Sequence, residues 1–227
     1  MDIIEIIEWA STIAGLVLAA AGWILSFYSA RKRKSPSLFY YLVTMFFACI
    51  FISNAYFLLV WFLSGYPYVF SPGDLSWLGA IVFLITADLY IADTWTREQK
   101  EAAGKFRLPA LAAPCVCVIF NAAYIRIYPE LIINYLVYAV PTAILSYLAL
   151  WLFLASLKVR PAGCAIQPAM RVYHLSILVW ISVQLFNDLF SSLGADSGFS
   201  VHASICEFLL AIATLAIYFA ARKEAGA

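Results

Sequence analysis

Two carboxylic acids, Asp188 and Glu207, lie inside stretches of sequence that are otherwise apolar, and no basic residue lies deep in either stretch. An ionised carboxylate in such surroundings meets a desolvation cost of the order of several kcal/mol unless water or partners solvate it. Three kinds of chemistry are open to such a pair. Neutral acids donate hydrogen bonds, carboxylates hold a cation, and a protonated acid can deliver its proton to a substrate. Around Asp188 the residues Trp180, Gln184 and Asn187 recur at spacings of three and four, and Ser191 continues the series. On a helix these form one stripe. Around Glu207 the same spacing collects Ser200, Ser204, Ala211 and Thr214. Glu207 is expected to face the stripe of Asp188 and to share hydrogen bonds with Asn187 or Asp188.

These residues need long helices to position them. The chain has 227 residues, 65% hydrophobic and 12% charged, with mean hydropathy +0.90. Soluble domains carry roughly 25% charged residues, so the surroundings of this chain must include lipid. About 20 apolar residues cross a bilayer. The sequence offers seven such spans, at about 9–30, 38–64, 73–95, 108–124, 131–157, 169–193 and 199–221. The predicted fold is all-α: a single integral-membrane seven-helix domain over 1–227. Pro72 and Asp74 suit the first turn of the third helix. The N-terminal residues Asp2, Glu5 and Glu8 lack the basic partners of a secretory signal, so the first helix is expected to stay as an anchor.

Charge then orients the bundle. Thirteen of the fourteen basic residues fall in the first, third and fifth connections, at the start of helix six or after helix seven, and Arg126 is the exception. The positive-inside rule makes that side cytoplasmic. With seven spans, the N-terminus is outside and the C-terminus in the cytoplasm, and the membrane expected is the cell's plasma membrane. In this frame Glu207 lies about 12 Å below the outer surface, counting the helical rise. Asn54, Asn121 and Asn134 also fall in outer halves, with His202 near the outer mouth and Trp61, Trp77 and Trp180 among the surrounding aromatics. The candidate ligand-binding residues are therefore Glu207, Asp188, Asn187, Gln184, Trp180, Asn54, Trp77 and His202. Amides at such positions also bond neighbouring helices to each other.

The cytoplasmic half carries Asp88, Asp93, Thr44 and His174. Asp93 is placed to pair with Arg97 one turn on, and Asp88 to meet Thr44 or water. Cys49, Cys115, Cys117 and Cys206 fall within spans and Cys164 in a basic loop, so no outer disulfide is expected. Cys115 and Cys117 point to different helix faces and pack as apolar residues. A weak internal echo joins helices two and six. Leu42 and Asn54 have the spacing of Leu175 and Asn187. This allows parallel three-helix repeats around a linker helix, a 3+1+3 plan.

The stretch Ser71-Pro72-Gly73-Asp74-Leu75-Ser76-Trp77-Leu78-Gly79, within the 28 residues from Leu63 to Tyr90, resembles the loop and third helix of bacterial seven-transmembrane sensor modules. The resemblance covers about an eighth of the chain. It implies a ligand-sensing role, and because no kinase, cyclase or helical linker follows helix seven here, signalling through a partner. The topology is also opsin-like and SWEET-like. Opsins hold retinal on a lysine in helix seven, whereas none of the seven spans contains a lysine, which excludes covalent retinal; no other cofactor is expected. His174 and His202, the two histidines, fall at opposite ends of the membrane, so no zinc site is expected.

The function read from these residues is a membrane sensor or receptor-like module, binding a small molecule in an outward-facing polar pocket and signalling through a cytoplasmic or membrane partner. A SWEET-like small-solute transporter and an intramembrane carboxylate-dependent enzyme, such as an isoprenoid cyclase, are the alternatives. A net charge of +1 gives nucleic acid no purchase. The orientation has a direct test. A cysteine introduced at Asp196 is expected to react with an impermeant thiol reagent added to whole cells, and one at Lys100 is expected not to. Outside labelling of the Lys100 position would reverse the topology.

Overall fold

The computed structural model describes residues 3–32, 38–64, 70–98, 104–127, 132–158, 166–193 and 200–224. Among them are seven helices long and apolar enough to cross a membrane, and no strand. They are α1 (Ile3–Arg31), α2 (Leu38–Ser64), α3 (Pro72–Glu98), α4 in two pieces (Arg107–Ala110 and Ala112–Ile127), α5 (Ile132–Lys158), α6 (Ile166–Leu193) and α7 (Ser200–Glu224). This is a multi-pass membrane helical bundle. Several helices run past the apolar spans read from sequence. α1 starts six residues before Trp9 and α4 ends three residues beyond Tyr124. The i→i−4 hydrogen bond does not require an apolar side chain, so a helix does not stop where its hydropathy falls.

Local chemistry shapes the ends. At the start of α3, Pro72 occupies the first helical position, where a missing N–H costs nothing. Ser71 and Asp74 form a reciprocal cap. Ser71 N and Oγ donate to Asp74 Oδ2 at 2.8 and 2.6 Å, and Asp74 N donates back to Ser71 Oγ at 3.3 Å. α4 breaks at Leu111, whose N–H turns back to the Leu108 carbonyl at 3.1 Å. Pro114 has no N–H to offer the Ala110 carbonyl, which interrupts the ladder there. At the end of α5 the Ser156 carbonyl accepts from Arg171 Nε and Nη2 at 3.1 and 2.8 Å. A cation there also suits the negative end of the helix dipole.

Six helices close a ring. α1 packs on α2, α2 on α3, α3 on α5, α5 on α6, α6 on α7, and α7 returns to α1. α4 stands outside this sequence, against α5 and α6. The interior is filled by Phe46, Phe47, Leu84, Tyr173, Ile177 and Ile217, all buried. Large apolar side chains face outward on every helix, including Ile24, Ile52, Val82, Ile119, Ile144, Val179 and Ile212. In water such a surface would drive aggregation; in lipid it carries no penalty. Small residues let α1 and α7 approach, with Ala19, Ser26 and Ala30 on one and Ala213, Ala220 and Ala221 on the other, all buried. Cys115 is exposed and Cys117 buried, as their spacing requires.

Gly22 marks the tightest interior contact. A Cβ placed on it would enter the Phe47 ring. That ring is fully buried and fixed edge-on by Phe46 and Tyr218, at 5.0 and 6.3 Å between centroids. At Gly15, by contrast, a Cβ would lie 3.5 Å from Asn54 Nδ2, an ordinary contact. Gly22→Ala is therefore expected to lower stability by about 1–3 kcal/mol through overpacking. Gly15→Ala is expected to be neutral or to stabilise by up to about 1 kcal/mol, because alanine is the better helix former. Thermal melts of the two variants in the same detergent check the contrast.

Candidate functional site

The polar groups left inside the ring gather in two places. The larger is a cavity of about 390 Å³, lined by residues from all seven helices. Its lining comes from the beginnings of α1, α3, α5 and α7 and the later turns of α2, α4 and α6. It therefore lies in the half of the bundle away from Arg31, Arg107, Arg171 and Arg222.

α6 contributes Trp180, Gln184, Asn187 and Asp188, and α7 contributes Glu207, Ala211 and Thr214. The three-and-four spacing does bring each set onto one cavity-facing stripe. Gln184 Nε2 donates to Asp188 Oδ1 at 2.7 Å, one turn apart. Glu207 Oε2 accepts from Ser11 Oγ of α1 at 2.6 Å. Trp180 is buried, and its Nε1 donates to Thr214 Oγ1 at 3.0 Å, which ties α6 to α7. Its indole stacks on Trp77 of α3 at 5.5 Å between centroids and 21° between planes. Phe46 meets the same indole edge-on at 5.8 Å.

Of the residues singled out from the sequence, Glu207, Asp188, Asn187, Gln184, Trp180, Asn54 and Trp77 line this cavity together. His202 is not among the lining residues; it is exposed and rests against Phe190 at 5.4 Å. The side chains of Trp61, Asn134, Ser191 and Ser200 lie outside the described residues. Asn121 lines the cavity and donates from Nδ2 to the Cys117 carbonyl at 2.8 Å.

Sequence reasoning missed the contribution of α1. Ser11, Thr12 and Gly15 all line the cavity, and Ser11 supplies a partner for Glu207. The available signal was a Ser-Thr pair with a glycine one turn on, in an otherwise apolar span. Tyr138 was missed as well. Its hydroxyl donates to Asp74 Oδ1 at 2.9 Å and lies 3.0 Å from the Asp74 carbonyl, linking α5 to the cap of α3. Asp74 thus serves the helix dipole, as expected, and also faces the cavity.

The smaller polar place lies in the other half. Asp88 of α3 and His174 of α6 are both fully buried, with Oδ1 and Nε2 3.6 Å apart. The Tyr173 hydroxyl adjoins the same carboxylate. Asp88 was expected to meet Thr44 or water. Thr44 instead turns its hydroxyl to the Tyr40 carbonyl of its own helix at 2.8 Å, and His174 reaches Asp88 across the bundle. His174 Nδ1 lies 2.9 Å from the Met170 carbonyl, which can only accept, so Nδ1 carries a proton. Nε2 and Asp88 Oδ1 face each other at 3.6 Å, beyond hydrogen-bond reach. Asp93 is exposed, and the side chain of its expected partner Arg97 lies outside the described residues.

The arrangement defines a seven-helix membrane bundle with an internal polar cavity. No protein-family model matches the chain, and no curated protein or solved structure was found to match it.

The buried pair generates a prediction. His174→Ala leaves the Asp88 carboxyl without its ring partner and is expected to destabilise the protein by about 3–5 kcal/mol. Adding Asp88→Asn should recover much of that loss, because a neutral amide replaces the carboxyl that lost its partner. A double-mutant cycle by thermal unfolding measures this. Additive losses would show the pair to be uncoupled.

Proposed function

We propose that this protein is a receptor-like membrane module that binds a small molecule in the central cavity and passes its occupancy on to a cytoplasmic or membrane partner. The observation that carries this reading is the cavity itself, to which every helix contributes. Ligand pockets of roughly 300–1,000 Å³ combine apolar walls with a few convergent polar groups. Here Ile50, Phe57, Ile81, Leu185 and Leu210 supply the walls, and Asn54, Gln184, Asn187, Asp188 and Glu207 the polar groups. An occupant that contacts all seven helices favours one arrangement of them over others, which is what a receptor requires.

The placement of thirteen of the fourteen basic residues supports a cavity facing outward across the plasma membrane, with the C-terminus in the cytoplasm. The half nearer those residues is closed by Phe47, Leu84, Tyr173 and Ile217. A cavity in one half over a packed second half supports sensing over passage. A transporter built from parallel repeats would have to open that second half in turn.

The test is a thermal-shift screen of neutral, cationic and anionic small molecules on the full chain in lipid nanodiscs. A true ligand at about 100 times its Kd is expected to stabilise the protein by about 2.7 kcal/mol. Ala211→Trp, which fills the cavity from a buried small position, is expected to abolish that shift. Glu207→Gln is expected to alter the ligand response with folding intact. Shifts that survive Ala211→Trp would move the binding site elsewhere. Net uptake of a bound compound into sealed vesicles would make the protein a transporter.

A further inference from the structure

The lining of the cavity is one-sided in charge. Asp74, Asp188 and Glu207 face it, and none of the described residues that line it is a lysine, arginine or histidine. Carboxyl groups gathered in one space favour a positively charged neighbour. The Ser11 and Tyr138 hydroxyls donate to Glu207 and Asp74.

The hydrogen-bonding capacity is one-sided too. Gln184 Oε1 and Asn187 Oδ1 are buried atoms without a hydrogen-bond partner. The Gln184 amide cannot simply be turned over, because its Nε2 is the donor to Asp188 Oδ1. A buried acceptor left unpaired costs about 1–3 kcal/mol. Both oxygens therefore call for a donor, and an anion or an ether would supply none.

The walls add a third requirement. The stacked indoles of Trp77 and Trp180 line the same space and offer an aromatic wall to an apolar body. A cavity of about 390 Å³ with aromatic and aliphatic walls is far larger than a bare metal ion needs. Its size and apolar surface suit an organic body.

We propose that the occupant is a protonated primary or secondary amine carried on an aromatic or aliphatic body, its N–H groups directed to the Asp188, Gln184 and Asn187 cluster and its body against the Trp77–Trp180 stack. This rests on the cavity being the ligand site proposed above. Positive charge answers the Asp188 and Glu207 carboxyl groups, the N–H groups answer the two unpaired amide oxygens, and the body fills the apolar remainder.

The experiment uses three probes of nearly equal shape: 3-phenylpropylamine, 3-phenylpropanol and 3-phenylpropionate. Each is titrated calorimetrically into the full chain in nanodiscs at neutral pH, against empty discs and at matched potassium chloride. The amine is expected to bind at least about tenfold more tightly than the alcohol, with no binding of the acid. Asp188→Asn is expected to remove that preference, bringing the ratio of amine to alcohol affinity to about one. Glu207→Gln supplies a second variant if Asp188→Asn does not melt cooperatively. Equal or tighter binding of the alcohol or the acid would overturn the amine and leave the cavity standing as a ligand site. Failure of all three probes, with only neutral or anionic hits in the wider screen, would also overturn the amine alone, whereas a primary or secondary amine among the hits would support it. Failure of both experiments would overturn the cavity reading itself.

Discussion

A polar group surrounded by hydrocarbon can be satisfied only from within the protein, and the rest of this structure follows from that constraint. The backbone meets it by being helical throughout the spans. Many hydroxyl side chains meet it by bonding to a carbonyl of their own helix. Thr86 donates to Val82, Ser176 to Val172, Ser182 to Leu178 and Thr214 to Leu210, all at 2.7–2.8 Å. Serine and threonine can therefore be scattered along the helices with no demand on the fold. Carboxylates have no proton to donate in this way, and the Asn121 amide and His174 ring, which do bond to Cys117 and Met170 of their own helices, each keep a second polar atom to satisfy. They have to converge on one another or on an occupant, and they do so in the cavity and at the Asp88–His174 pair.

The two polar places are kept apart by aromatic packing. Along α6 the order is His174, Trp180, Gln184, so Trp180 stands one to two turns from each. Its stacking on Trp77 and edge contact with Phe46 bind α6 to α3 and α2 at that level. Its hydrogen bond to Thr214 adds α7. A rigid plate of this kind gives the cavity a floor and shields the Asp88–His174 pair. It also offers a route by which an occupant resting on Trp77 would bear on the helices beyond.

Closure of the ring by α1 and α7 depends on small residues. Ala19, Ser26, Ala213 and Ala220 leave room for close approach, and Ser29 and Tyr218 hydroxyls lie 3.2 Å apart across the seam. The same closeness brings Ser11 to Glu207. On the α2 side of the same helix, Gly22 leaves room for the Phe47 ring. The first helix thus lines the cavity as well as closing the ring.

The number of spans, their approximate limits and the cap at Pro72 and Asp74 were legible in the sequence, because hydropathy and helix-start chemistry are local properties. The α6 and α7 stripes were legible too, because a period of three to four residues assigns side chains to a face without reference to any neighbour. What the sequence could not decide was which helices would be adjacent. The pairing of Ser11 with Glu207 spans 196 positions, and that of Tyr138 with Asp74 spans 64. Asp88 and His174 sit on helices that are not sequential neighbours. His202 had the residue type and approximate depth of a site residue, but its own helix face carries it outward. Helix order around the ring is set by the fit of small and large side chains on many faces at once, and no single stretch of sequence contains that information.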